Sequence, residues 1–243
     1  MKLRSLILCV GLLLVSGSSS SFAYVLGPTV PGKWGDPTPG TGATVTYSYM
    51  PSGVATDDGV SSALSSFMPS GFEAAIQAAF NAWSAVANIT FSLVADCGAA
   101  WNAGCGGGDI RIGGHAFDGA GGVLAHGYFA PVNGTSAAGD IHFDIAENWN
   151  DGFGPGVFDI FLVMAHEIGH AIGLDHSFVA GALLNPLYPS AFIDGPQADD
   201  IAGAQFLYGA PVVVPIPAAL PLFGSAVLLM GLIGWRSRRK AAA

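Results

Sequence analysis

"HEIGHAIGLDHS", residues 166–177, holds three of the six histidines in a chain of 243 residues. The apolar pattern from about Val157 to Leu174 has helical spacing, so His166 and His170 stand one turn apart on the same side of a helix. Two neutral imidazoles placed that way reach one cation at about 2 Å. Glu167 lies beside the first ring, angled toward a water on such a cation rather than toward the cation itself. Gly173 lets the helix stop, and the returning chain presents His176 as a third ligand. Three protein ligands leave one position open, which is the mark of a catalytic zinc site. Zinc in such a site makes a water nucleophilic near neutral pH. Glu167, as general base and then acid, takes a proton from that water and returns it to a leaving amine. The alternative is a polar helix face with incidental histidines. The extended pattern H-E-x-x-H-x-x-G-x-x-H argues against it, because it fixes the glycine as well as the ligands.

Working outward, charge is sparse and unevenly placed. Six of the eight basic residues lie at the two ends, and all seventeen acidic residues lie between Asp36 and Asp200. From about Tyr24 to Ala210, two basic residues against seventeen acidic ones leave a net charge of −15. Such a body repels nucleic acid and anionic lipid, and its carboxylates suit calcium.

Residues 1–23 read as a secretory signal peptide: Lys2 and Arg4, the apolar "LILCVGLLLV", then "SFA". Cys9 falls inside that segment. The remaining pair, Cys97 and Cys105, is close enough in an exported chain to form a local disulfide, the alternative being two free thiols. At the other end, Ala219 to Trp235 is an apolar run followed by "RSRRK". The order of Pro-rich motif, apolar helix and arginine cluster over residues 214–239 resembles the PEP-CTERM sorting tail of Gram-negative bacteria, with Ile216 where glutamate is usual. That resemblance implies cleavage near Pro215–Pro217 by an exosortase. A permanent anchor, with the membrane touched only through the terminal segments, is the alternative.

Between these ends we expect an extended lead-in over residues 24–44 and one domain over 45–210, followed by the tail at 211–243. Strands are expected at Val45–Met50, Ile89–Val94, Asp109–Gly114 and Ile141–Ile145. Helices are expected after a capping box at Ser70–Glu73, across the histidine motif, and over Ile201–Tyr208 behind a cap signal at Asp194–Gln197. Gly113–Gly139 is too glycine-rich to order itself. Strands early and helices late give an α+β class.

The motif, with Ser177 directly behind it, resembles that of the matrixin branch of the metzincin metalloproteases. "VTYSYM", "FDGAGGVLAH", "GDIHFD" and "DDIAGAQFLYG" resemble matrixin catalytic-domain segments in the expected order, from about residue 33 to 210. The resemblance implies a twisted, mostly parallel sheet with two helices above a horizontal cleft and a C-terminal helix below. It implies a zinc endopeptidase acting on protein or peptide substrates. A second, structural zinc would be held by His115, His126 and His142. His115 is displaced by a shorter loop before Phe117, and the family's aspartate ligand has no counterpart. Calcium would be held by Asp118, Asp144 and Glu147 with the carbonyls of Gly119, Gly121 and Val123, and a second calcium by Asp109 and Asp140. Leu184 stands where the family's Met-turn has methionine. Leu183, Pro186 and Tyr188 match the pocket for the residue after the scissile bond. No cysteine lies between Ala23 and Cys97, so cysteine-switch latency is not expected. A surface adhesion module that keeps its metals for stability is the competing class.

Overall fold

The computed structural model describes residues 23–104, 106–131 and 136–212. Its centre is a five-stranded sheet built from β2 (Ala43–Tyr49), β3 (Ile89–Leu93), β4 (Ile110–His115), β5 (Ala125–Gly127) and β6 (Ile141–Asp144), in the order β3-β2-β4-β6-β5. All pairs are parallel except β5 on β6, so β5 is an antiparallel edge strand. Two-residue strands complete the set: β1 (Val25–Leu26) pairs with β9 (Leu174–Asp175), and β7 (Trp149–Asn150) with β8 (Phe158–Asp159).

Three helices accompany the sheet: α1 (Phe72–Val86), α2 (Ile160–Ala171) and α3 (Ala198–Tyr208). On α1, Phe72, Ile76, Phe80 and Trp83 recur at helical spacing and are buried against the sheet and α2. Each such side chain contributes about 1.5–3 kcal/mol on burial. Trp83 also donates its indole N–H to Ala165 O at 2.8 Å, which fixes α1 against the helix carrying the histidines. α3 packs on β9 and α1 from the C-terminal side. This is the expected α+β arrangement with its mostly parallel sheet.

Two caps differ from expectation. Ser70 does not cap α1; the N-cap is Gly71 at φ 94°, with no side-chain cap bond. The capping box of α3 is formed by Gln197 and Asp200, so the helix starts at Ala198 rather than Ile201. Asp200 was masked as a capper because its carboxylate also accepts bonds from a distant loop, a tertiary role that local patterns do not show.

Residues 24–44 are extended but packed along their length. Gly27 N–H donates to Gly173 O at 2.8 Å, Trp34 Nε1 to Ala171 O at 2.8 Å, and Trp34 N–H to the Tyr208 hydroxyl at 3.0 Å. The buried Lys33 ammonium is held by Trp34 O, Asp36 O and Thr41 Oγ1.

The loop after β3 is tied down by a buried ion pair. Arg111 on β4 grips Asp96 at 2.8 and 2.9 Å, with side-chain exposures of 4% and 5%. Burial pushes the Asp96 carboxyl up, but bonds from Arg111, the Gly98 N–H and Ser48 outweigh it and leave the group below the usual carboxylate range. This contribution to stability is therefore complete above about pH 4, the unfolded value, and is lost as pH falls through the depressed folded one. Asp96→Asn should cost about 1.5–3 kcal/mol near neutral pH and remove that part of the acid sensitivity; urea midpoints measured across the acid range check both. Cys97 follows directly in this loop, whereas Cys105 lies outside the described residues. So do residues 1–22 of the expected signal peptide and the apolar run at 219–235. Among the described residues no helix is long and apolar enough to cross a membrane.

Candidate metal centre and cleft

The sequence places its chemistry on the end of α2. Asp159 caps the helix through Leu162 N–H at 3.0 Å, and Gly173 at φ 106° ends it. His166, His170 and His176 then bring one ring nitrogen each within 4.8 Å of the others. His166 Nδ1 lies 2.9 Å from Leu183 O, and His170 Nδ1 lies 2.8 Å from Leu174 O. A carbonyl only accepts, so both Nδ1 atoms carry the proton, and both Nε2 atoms offer lone pairs. Burial drives the His166 and His170 pKa values down to about 3 and about 4, which keeps the rings neutral.

Those lone pairs face one another. Nε2 of His170 is 3.2 Å from that of His166 and 3.3 Å from that of His176. Without hydrogens between them the nitrogens repel, and a cation among them removes the repulsion. Tetrahedral ligands about 2.05 Å from zinc are about 3.3 Å apart, so the residues fit that ion.

Glu167 is buried beside them, with Oε2 lacking a protein partner. Burial pushes its carboxyl up to about 8, opposed by the Gly127 N–H of β5. The carboxylate, His166 and His176 open onto a cleft of about 940 Å³ walled by Leu162, Val163, Leu183, Tyr188, Phe192 and Ile193. Pro186 also lines it. The Tyr188 hydroxyl is pinned by Asp159 N–H at 2.9 Å.

Leu184, expected as the apolar floor of the site, is buried at 2% exposure. It lies so close to Gly169 that a Cβ there would collide with its Cδ2. Asp200 of α3 supports this floor by accepting from Leu183 N–H at 2.7 Å and Leu184 N–H at 3.1 Å. Leu183 O in turn receives the His166 proton, so α3 sets the His166 ring through one peptide unit.

A second group gathers Asp57, His115, His126 and His142. Strand register delivers the histidines: His126 and His142 are directly opposed across β5 and β6, and His115 ends β4. Asp57 Oδ1 is 2.9 Å from His142 Nδ1 and 3.2 Å from His115 Nε2. Its Oδ2 is 3.4 Å from His126 Nε2. Burial lowers the pKa of His142 and brings that of His126 down to about 4. Three rings converging on a carboxylate again suit a cation. The aspartate expected to be missing is therefore supplied by Asp57. It sits in a tight turn closed by the Ala55–Val60 bridge and Thr56 N–H to Gly59 O. The only sequence sign was the acidic pair Asp57-Asp58 in an otherwise Gly/Ser-rich loop.

The acids matched to calcium are not gathered in this way. Among the described residues the two histidine groups are the ones bringing three or more such ligand atoms within 4.8 Å. Asp118 accepts from Val123 N–H, Glu147 from Gly121 N–H at 2.7 Å, and Asp144 from Ala146 N–H at 2.9 Å. Gly119 and Gly121 have positive φ in the same loop, and Asp144 Oδ2 is buried without a protein partner. Asp109 is turned to Thr46, while Asp140 is buried against Arg111 N–H, with its carboxyl pushed up to about 8 by burial.

Fold and site together define an α+β scaffold with an apolar cleft beside a histidine cluster that could hold a metal ion. The profile of one family, matrixin, matches residues 60–209, and the chain belongs to that family. It is 45% identical to stromelysin-3 of Xenopus laevis over 105 residues, 43% of this chain and 21% of that protein. It is 43% identical to matrix metalloproteinase-18 of Xenopus laevis over 145 residues, 56% of this chain and 28% of that protein. Karilysin of Tannerella forsythia is 37% identical over 153 residues, 61% of this chain and 31% of that protein. The chain thus spans about a fifth to a third of the length of these relatives.

Proposed function

We propose that the chain is an exported zinc endopeptidase. The observation that carries this reading is the convergence of three imidazole nitrogens beside a buried carboxylate, one oxygen of which has no protein partner, in an apolar cleft. His166, His170 and His176 hold the catalytic zinc, which supplies the Lewis acidity that activates a water and polarises a peptide carbonyl. Glu167 takes the proton from the attacking water and returns it to the leaving amine. Leu183, Pro186 and Tyr188 receive the side chain after the scissile bond. Leu184 replaces methionine beneath the zinc, an apolar exchange of similar volume.

The second group, completed by Asp57, holds a structural zinc. The carboxylates of Asp118, Asp144 and Glu147, with the carbonyls of Gly119, Gly121 and Val123, would hold a calcium ion that stabilises this loop. Asp109 and Asp140 support a further calcium less directly. The catalytic domain runs over 45–210 behind the lead-in at 24–44, with a Cys97–Cys105 disulfide. The signal peptide is residues 1–23, and the PEP-CTERM-like tail at 211–243 is processed by an exosortase in a Gram-negative bacterium. That places the enzyme outside the cell or at its surface.

Metal analysis of the purified chain should return two zinc ions. A casein or gelatin zymogram should show clearing that a chelator abolishes and added zinc restores. Two zinc ions without chelator-sensitive clearing would sink the peptidase reading and favour the adhesion module.

A further inference from the structure

The body contains two basic side chains, Lys33 and Arg111, and both are buried, at 1% and 3% exposure. Lys33 is wrapped by carbonyls and Arg111 is paired with Asp96. No lysine or arginine is exposed among the described residues, against eight exposed acidic ones. Two zinc ions and one calcium ion would add six positive charges to the −15 of the body and leave −9. The field outside the cleft therefore has one sign.

Two of these exposed acids lie close in the chain to the aromatic residues of the cleft. Beyond Tyr188, the cleft continues into a second groove of about 650 Å³ lined by Phe153, Pro155, Val157, Phe158, Tyr188 and Pro189. Phe153 stacks on Tyr188 at 6.0 Å and meets Phe192 edge-on at 6.4 Å. Both phenylalanines are exposed, at 37% and 54%. Asp151 precedes Phe153 by two residues and Asp194 follows Phe192 by two, and both are exposed. Asp194 makes one long bond, at 3.4 Å, from Gln197 Nε2; no cation neutralises either. An exposed aromatic face with an unneutralised carboxylate nearby in the chain offers a lysine or arginine an apolar surface for its stem and an anion for its charged head.

We infer that the cleft selects cationic polypeptides, with Phe153 and Phe192 flanked by Asp151 and Asp194 receiving a basic residue downstream of the scissile bond. This rests on the peptidase reading of the cleft. The remaining surface acids steer such chains toward it from a distance.

The test uses three labelled peptides that share one apolar core and carry two lysines, two glutamines or two glutamates downstream. Binding is read by fluorescence anisotropy on the zinc-loaded Glu167→Gln chain, and cleavage on the unaltered chain. At about 10 mM salt the lysine peptide should bind at least roughly tenfold more tightly than the glutamate peptide, and the gap should close at about 1 M. Asp151→Asn with Asp194→Asn should remove most of the preference, whereas Glu73→Gln, an exposed acid on α1, should not. Equal affinities at low salt would overturn the inference, as would a preference untouched by the double variant. Graded affinities without cleavage would support it and count against the peptidase reading instead.

Discussion

Glu167→Gln lowers kcat/KM on a casein-derived peptide by roughly 10²–10⁴-fold, the range for loss of a positioned proton-transfer group. Glutamine keeps the shape and volume of the side chain, so α2, the ring positions and the cleft wall stay as they are. The amide accepts no proton near neutral pH, so the attacking water loses its base and the leaving amine its acid. Zinc content should remain that of the parent chain, because the three converging nitrogens come from His166, His170 and His176. KM should change little, since the cleft walls are formed by Leu162, Val163, Leu183 and Tyr188. The pattern of lost kcat with retained zinc distinguishes this role from a ligand role, in which zinc would leave with the activity. Unchanged kcat in a variant that still carries zinc would show that another group moves the proton.

Much of this site was legible because its ligands are local. His166, Glu167 and His170 are placed by helix geometry, and His176 by a glycine that can reverse the chain, so all four groups follow from spacing. The second group was legible only in part. His126 and His142 face each other because β5 and β6 pair antiparallel at that register, a long-range fact that sequence pattern suggests but does not fix. Asp57 was not identified because its position depends on the turn closed by the Ala55–Val60 bridge in the loop after β2, and nothing in "ATDDGV" distinguishes a ligand from a solvated acid. The short strands β1, β5, β7, β8 and β9 were missed for a related reason. Segments of two or three residues have no periodicity to read, and they exist through the partner they pair with. Gly127 illustrates the point: a side chain there would press on Glu167 O at 2.8 Å and Oε2 at 3.2 Å, so the glycine is set by α2 rather than by β5.

Gly173→Ala should lower stability by roughly 2–6 kcal/mol, combining left-handed backbone strain with overpacking. The residue has φ 106°, and its Cβ position is already taken by the carbonyl oxygen of Gly32, with Leu207 Cδ1 at 3.3 Å. A methyl there must push away the packed 24–35 segment, which is held by Gly27 N–H to Gly173 O and by the pairing of Val25 with Asp175. That pairing buttresses β9, whose Leu174 O receives the His170 proton and whose next residue is His176. Loss of stability and loss of zinc should therefore occur together. Gly53→Ala is the matched comparison, because Gly53 has φ 85° but open space around its Cβ position. It should cost only the strain, about 1–3 kcal/mol, and leave zinc in place. Thermal unfolding should show Gly173→Ala melting about 5–20 °C below the parent, and zinc release to a chelator should be faster in that variant alone. Equal melting temperatures for the two variants would show that the contact between the N-terminal segment and the third-ligand turn adds nothing to the stability of the metal centre.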